Sequence, residues 1–379
     1  MNAPSGLPHV ARATSRIRVL HVGPGWGQRG GIASVLDELA ARRDRFAVDA
    51  VSLAFFETHG FHGIGSALRF FLQDVPGFIA SLGKAEIVHF HVSERGSLYR
   101  KLVLFAFAQA YGKKTVFHLH SGRFEHFIAH AGYATRCAAR WFARRAHAAI
   151  GVSSAIGAVL QNYRDEPRRL YVIGNTAGAA EEASQRMLPQ RCDAAAIPYI
   201  AFAGRLSVAK GVGLLMEAMT LLKQQGCAVQ LRLAGTGDVA RWMKFAVDRN
   251  IDDRVVFEGW LDGDRKLAFY QNARLFCMPS QFESFGIAAL EAMFCGVPVI
   301  GTKLGGFLDL VDEGVTGHLV EPGDAEALAA RIRDLVEDPE HAANMGAAAR
   351  DRAKLRYSGE TIVQQYVGCY RAVNGGDQS

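Results

Sequence analysis

The segment PSQFESFGIAALEAMFCGVPVIGT, Pro279 to Thr302, is the most informative stretch of this chain. Two carboxylates, Glu283 and Glu291, stand with seven residues between them, and Ser284-Phe285-Gly286 falls where a loop turns into the helical pattern IAALEAMF. A helix that begins near Phe285 points its first backbone N–H groups out of its N-terminus, where they can bind phosphate oxygens. Gly286 lets that backbone approach a ligand closely. Glu291 follows Glu283 by about two turns, so the two can reach different ends of one elongated ligand. A helix-capping glutamate and an ordinary surface glutamate would give the same spacing, so the segment alone does not decide its chemistry.

A second segment adds charge. In FAGRLSVAKGVGLLMEAM, Phe202 to Met219, Arg205 ends an apolar strand and Lys210 opens the next helix. From those positions a planar guanidinium and a compact ammonium can clamp a diphosphate in the same cleft. The first half supplies TVFHLHSGRF, where strand alternation puts Phe117 and Leu119 on one face and His118 and His120 on the other. His120, at the carboxyl end, is a ligand-facing candidate, whereas His118, one pleat deeper, reads as a satisfied core histidine. His89 and His91 in IVHFHVS read as cleft lining. His-x-His with no carboxylate or cysteine nearby is a weak zinc signal, and no metal is expected. Asp262-Gly263-Asp264 reads as a helix start with Asp264 as its N-cap rather than as a metal-binding pair.

Around these motifs, short apolar runs alternate with helical patterns throughout the 379 residues, the signature of parallel sheet with crossover helices. The fold class is α/β, with two Rossmann-like doubly wound domains facing a cleft and ligand sites at the carboxyl ends of their strands. The expected division is residues 1–180, a small polar linker at 181–197, a second domain at 198–355, and a terminal helix at 356–379 packing back on the first. Residues 1–180 carry 22 Lys+Arg against 11 Asp+Glu, and the remainder 21 against 26. The basic first half suits an anionic partner or surface, and a solvated basic face accounts for it equally well. Six scattered cysteines form no C-x-x-C pair and read as core residues in a reducing compartment. The N-terminus lacks the apolar core of a signal peptide, so a cytoplasmic protein is expected. In RCAARWFARR, Arg136, Arg140 and Arg144 recur on one helical face beside Trp141 and Phe142, and GFHGIGSALRFFLQDVPGFIASLG adds apolar bulk. Both suit peripheral contact with an anionic membrane or ordinary packing on the sheet.

GRLSVAKG, then PSQFESFGIAALEAMFCGVPVIGT, then GGFLDLVDEGVTGHLVEPGD together resemble the retaining glycosyltransferases of family 4, with the GT-B fold. The resemblance covers nearly the whole chain and is loosest in the first domain. It implies that Arg205 and Lys210 neutralise the departing nucleoside diphosphate, that Glu283 binds donor-sugar hydroxyls, and that Glu291 accepts from ribose hydroxyls. Ser284, Phe285, Gly286 and Ile287 would contact sugar and phosphates, His120 would face the anomeric region, and Gly235, Gly237 and Phe257 are weaker donor-binding candidates. It implies a metal-independent hexosyltransferase without a cofactor. Its donor would be GDP-mannose or a UDP-sugar, and its acceptor a glycan or a polyprenyl-diphosphate-linked molecule in exopolysaccharide or cell-surface polysaccharide synthesis. No nucleic-acid partner is expected.

VGPGWGQRGG, Val22 to Gly31, matches the G-x-G-x-x-G dinucleotide fingerprint, so an NAD-dependent oxidoreductase is one alternative. Against it, the only candidate ribose-binding acid, Asp49, lies in the middle of the run FAVDAVSL instead of at its end. The resemblance assigns Gly30 and Gly31 to a donor-facing loop, with Trp26 and Arg29 on a lip free to meet acceptor. A GT-B sugar-nucleotide epimerase shares the fold and stays as the other alternative.

Overall fold

The computed structural model describes residues 16–25, 30–59, 64–164, 169–186 and 197–375. Trp26 and Arg29 of the expected lip lie outside them, as does Cys192. Two six-stranded sheets form, and every strand pair in them is parallel. The first contains β1 (Ile17–Pro24), β2 (Val51–Thr58), β3 (Ile87–Val92), β4 (Lys114–Leu119), β5 (Ala148–Gly151) and β6 (Leu170–Val172), in the order β2-β1-β3-β4-β5-β6. The second contains β7 (Tyr199–Ala203), β8 (Gln230–Ala234), β9 (Val255–Gly259), β10 (Leu275–Met278), β11 (Val299–Thr302) and β12 (Gly317–Val320), in the order β12-β11-β10-β7-β8-β9. The winding direction reverses between β1 and β3 in one sheet and between β7 and β10 in the other. Crevices at the carboxyl ends of such strands are where doubly wound folds bind ligands.

Both faces of each sheet are covered, which is why the central strands read as nearly continuous apolar runs. On one face of the first sheet, Phe90 and Phe117 pack against Phe142 at 5.5 and 4.7 Å between ring centroids, and Phe90 against Phe105 at 5.9 Å. The opposite face is unusual. It carries His21 of β1, His89 and His91 of β3 and His118 of β4, all buried, beneath Tyr366 and Tyr370 of the C-terminal helix Gly359–Asn374. Histidines 89 and 91, expected in the cleft wall, lie instead inside this covered face, because register aligns His21 with His89 and His91 with His118. Their ring nitrogens bond to one another and to Tyr370, since buried polar groups need partners.

The C-terminal helix is held by ions as well as packing. Glu181 accepts the Gly359 backbone N–H at 2.9 Å and an Arg42 guanidinium N–H at 3.1 Å, while Arg42 also pairs with Glu38. Glu181 belongs to a helix, Gly178–Arg186, where composition suggests linker. Its Ala180 and Ala183 methyl groups are buried, so small residues serve here as close-packing surface.

Three further expectations change. Residues Arg43–Val48 are a helix and β2 starts only at Val51, so Asp49 lies at the amino end of the strand, paired with Arg371 at 3.0 Å. That is the end away from any ribose site, and the dinucleotide reading loses its acid. Asp262, not Asp264, occupies the N-cap of the helix Gly263–Gln271. Cys137 is exposed, whereas Cys227, Cys277 and Cys369 are buried. Arg136, Arg140 and Arg144 are exposed, but Phe142 is core and Trp141 packs edge-on against Phe105 at 4.9 Å. Among the described residues no helix is long and apolar enough to cross a membrane.

The histidine face makes stability pH-dependent. Burial, with Arg43 adding repulsion, pushes His21 down to about 3, and burial holds His89, His91 and His118 well below the ordinary value of 6.5. An unfolded chain binds these protons below about pH 6.5 while the folded chain refuses them, so stability falls as pH drops from there toward 3. Each histidine contributes up to roughly 1.4 kcal/mol per pH unit in that window. The urea midpoint of unfolding should be clearly lower at pH 5 than at pH 7, and equal midpoints would contradict the buried, neutral state of these rings.

Candidate active site

The carboxyl ends of the two sheets face each other and enclose a cavity of about 370 Å³. On the first sheet's side its wall is Gly31 and Ile32 after β1, Ser93 after β3, His120 after β4, Val152 after β5 and Asn175 after β6. On the second sheet's side it is Ala203 at the end of β7, Gly204 after it, Lys210, Met278 at the end of β10, and the run Glu283–Ala288. Eight sequence-assigned residues therefore meet here: Gly31, His120, Lys210, Glu283, Ser284, Phe285, Gly286 and Ile287.

Lys210 closes a short 3-10 turn, Val208–Lys210, and its Nζ lies 2.7 Å from Glu283 Oε2. The carboxylate is largely buried, with 10% of its side chain exposed, whereas the lysine keeps 31%. Gln281 N–H donates to Ala209 O at 2.9 Å and ties the two loops, while Gly306 N–H donates to Glu283 O at 3.1 Å and holds the Glu283 loop to the loop after β11. Gly286 is the N-cap of the helix Ile287–Phe294 with φ 101°, a left-handed conformation that disfavours a side chain. Phe285 turns inward against Tyr357, at 5.4 Å between rings, so its backbone and not its ring is available to the cavity.

Two residue pairs bond across between the sheets among the described residues. Gly122 N–H, two residues past His120, donates to Ser284 Oγ at 2.7 Å, and Ser154 donates to Asp309 through its N–H at 2.6 Å and through its hydroxyl. His120 is half-buried; its Nε2 bonds His91 Nδ1 at 2.9 Å, and burial, followed by repulsion from Lys101, pushes its pKa down to about 3. It faces the cavity as a neutral ring. His118 is not the satisfied core residue expected: Nδ1 bonds His89, but Nε2 is buried without a partner. Two overlapping triads, His21-His89-His91 and His91-His118-His120, hold ring nitrogens within 4.8 Å of one another, close enough for a cation to be held. Most of those nitrogens are already engaged in the bonds just described.

Other assigned residues stand apart from the cavity wall. Arg205 is exposed beside it, next in sequence to Gly204. Gly30 is the exposed N-cap just before Gly31. Glu291 binds Lys266 Nζ at 2.6 Å through one oxygen and Tyr270 Oη at 2.9 Å through the other. Gly235 and Gly237 have a packing reason of their own: a Cβ would fall 1.8 Å from Gly204 O and 2.4 Å from Leu206 O respectively. Phe257 packs partly buried against the core.

Motif reading missed one residue of the cavity wall and one buried lysine outside it. Asn175 is buried with its Oδ1 unpartnered, and only its place after a short strand hinted at it. Lys101, buried on the helix Gly96–Ala110, donates to Ser97 Oγ at 3.2 Å, and burial brings its pKa down to about 7. A lysine within a helical apolar pattern carries no sequence mark of such burial.

Comparison with known proteins agrees with this geometry. Residues 195–352 match the family model "Glycosyl transferases group 1". N-acetyl-alpha-D-glucosaminyl L-malate synthase of Bacillus anthracis is 36% identical over 151 residues, 40% of this chain and 39% of that protein. D-inositol 3-phosphate glycosyltransferase of Pseudarthrobacter chlorophenolicus is 35% identical over 161 residues, 41% of this chain and 38% of that protein. The matches thus span well under half the length of these relatives. The crystal structure of Anabaena HepE in complex with UDP and glucose superposes with a TM-score of 0.71 at 22% identity, covering 94% of this chain and all of that one. With its fold matched end to end and residues 195–352 matching the family model, the chain has the GT-B fold and its second domain is a group 1 glycosyltransferase domain.

Proposed function

We propose that the protein is a retaining hexosyltransferase that uses a nucleotide-diphosphate sugar. The observation that carries this is the convergence of Lys210, Glu283, the Gly286 helix start and His120 on one cavity between the two sheets. In this reading the donor diphosphate takes Lys210 and the N–H groups at the start of the helix Ile287–Phe294, with Arg205 closing over it from the rim. Glu283, released from Lys210, accepts from sugar hydroxyls, and His120 stands near the anomeric carbon. Gly30 and Gly31 let the opposite loop approach the donor, and Glu291 reaches the ribose after sharing or exchanging its bonds to Lys266 and Tyr270.

The acceptor oxygen bonds to the anomeric carbon on the face from which the phosphate oxygen leaves, and the acceptor's proton passes to that departing oxygen. Configuration is therefore retained. Lys210 and Arg205 stabilise the charge that develops on the diphosphate, the kind of preorganised electrostatics that usually dominates catalysis. UDP-sugars lead the donor panel because HepE was crystallised with UDP, and GDP-mannose is the second choice. A lipid-linked acceptor is favoured by Leu68, Phe71 and Leu72, large apolar side chains each more than half exposed on the segment Ile64–Asp74, together with the exposed arginines of the helix Tyr133–Arg145.

Purified protein incubated with UDP-, GDP- and ADP-sugars, with and without a polyprenyl-diphosphate acceptor, should release nucleoside diphosphate from one donor class, faster with the lipid-linked acceptor. No release with any pair would overturn the assignment. Lys210→Ala should lower kcat roughly 100-fold in protein that remains folded by circular dichroism. Near-normal turnover would remove Lys210 from the mechanism.

A further inference from the structure

The buried histidines form a single unbranched chain that ends at the cleft. In order, His118 Nδ1 bonds His89 Nε2 at 3.1 Å, and His89 Nδ1 bonds Tyr370 Oη at 2.9 Å. Tyr370 Oη bonds His21 Nε2 at 3.2 Å, His21 Nδ1 bonds His91 Nε2 at 2.9 Å, and His91 Nδ1 bonds His120 Nε2 at 2.9 Å. One end, His118 Nε2, is buried with no partner; the other end is the cleft-lining ring of His120.

Such a chain has few choices. A neutral imidazole has one N–H and one bare nitrogen, and a tyrosine hydroxyl donates one hydrogen. Every link therefore dictates the next. If His118 carries its proton on Nδ1, it donates to His89, which donates to Tyr370, then on to His21, His91 and His120, leaving all five histidines protonated on Nδ1. The reverse arrangement puts all five protons on Nε2. In a region that water does not reach, a mixture either breaks a link, leaving two donors or two acceptors face to face, or has His89 and His21 both donate to Tyr370 Oη and strands the phenol's own O–H.

The two arrangements differ at the buried end. The first leaves a bare nitrogen unpaired at His118 Nε2, and the second leaves an N–H there. Unpaired buried N–H groups are the rarer fault in proteins. We propose that the ladder is one polarised hydrogen-bond chain with every histidine protonated on Nδ1, joined through Tyr370, so that His120 presents a fixed Nδ1–H donor to the cleft. Tyr370 is then a positioning residue, reaching from the C-terminal helix to the first domain's ligand-facing histidine. Under the transfer reading, on which this consequence rests, His120 can neither take nor give a proton in the reaction. It recognises an acceptor atom, a hydroxyl or phosphate oxygen of the donor.

Long-range ¹H–¹⁵N correlation spectra of the full chain labelled with ¹⁵N-histidine distinguish protonated from bare ring nitrogens, with assignments made by single substitutions. At pH 7 without ligand, His21, His89, His91, His118 and His120 should all carry the proton on Nδ1. In Tyr370→Phe the link is cut, and either arrangement of the His89–His118 pair now strands a buried N–H. Those two rings should show both tautomers while His21, His91 and His120 keep Nδ1–H. Mixed tautomers or Nε2–H in the unsubstituted protein, an imidazolium among the five, one equivalent of divalent metal held by the purified protein, or an unchanged His89–His118 pair in Tyr370→Phe would each overturn the proposal. Should Tyr370→Phe not fold, the spectrum of the unsubstituted protein decides alone. No sugar nucleotide enters this experiment, so its failure would leave the transferase reading standing, and failure of the donor panel would leave this chain intact.

Discussion

An ammonium and a carboxylate 2.7 Å apart, Lys210 and Glu283, are the contact on which the chemistry of the cleft depends. Each satisfies the other while the cleft is empty, so neither leaves an uncompensated charge in a half-buried site. A nucleotide sugar offers both a better partner at once: diphosphate oxygens for the ammonium and hydroxyl donors for the carboxylate. Under the proposed function, binding then exchanges one ion pair for two interactions with the ligand instead of burying two new charges. The exchange needs the two loops to stay in register, and the backbone bond from Gln281 to Ala209 ties them.

The opposite wall is positioned by the end of the chain. The C-terminal helix crosses back from the second domain, is anchored at its start by Glu181 and Arg42, and covers the histidine face of the first sheet. Direct bonds across the cleft, Gly122 to Ser284 and Ser154 to Asp309, flank the cavity. The first joins Ser284 to a neighbour of His120, so separating the two walls there breaks a hydrogen bond beside His120 and Glu283.

Much of this was legible in the chain. Alternating apolar and helical runs follow from a parallel sheet covered on both faces, and the Glu283 segment is legible because a loop, a glycine and a helix start have a local signature. What escaped depends on pairing across distance. The His89-x-His91 and His118-x-His120 pairs look like separate strand ends until register sets them side by side. Glu291 reads as a free carboxylate because Lys266 and Tyr270 lie on another helix. Gly235 and Gly237 look like phosphate-facing glycines, yet the backbone of the β7 loop already requires them to lack a side chain. Asp49 was misplaced because a short helix precedes β2 where the apolar run suggested continuous strand.

The most direct measurement is equilibrium titration of bare and sugar-bearing nucleotides, UDP with UDP-glucose and GDP with GDP-mannose, into the unsubstituted protein, Lys210→Ala and Glu283→Gln. If the ion pair is exchanged for the donor, Lys210→Ala weakens both members of the pair that binds by roughly 10-fold or more, the worth of a charged hydrogen bond. Glu283→Gln weakens only the sugar nucleotide and leaves the bare diphosphate bound as well or better, since Lys210 no longer has a competitor. Equal weakening of both ligands by Glu283→Gln, or unchanged diphosphate affinity in Lys210→Ala, would contradict the exchange.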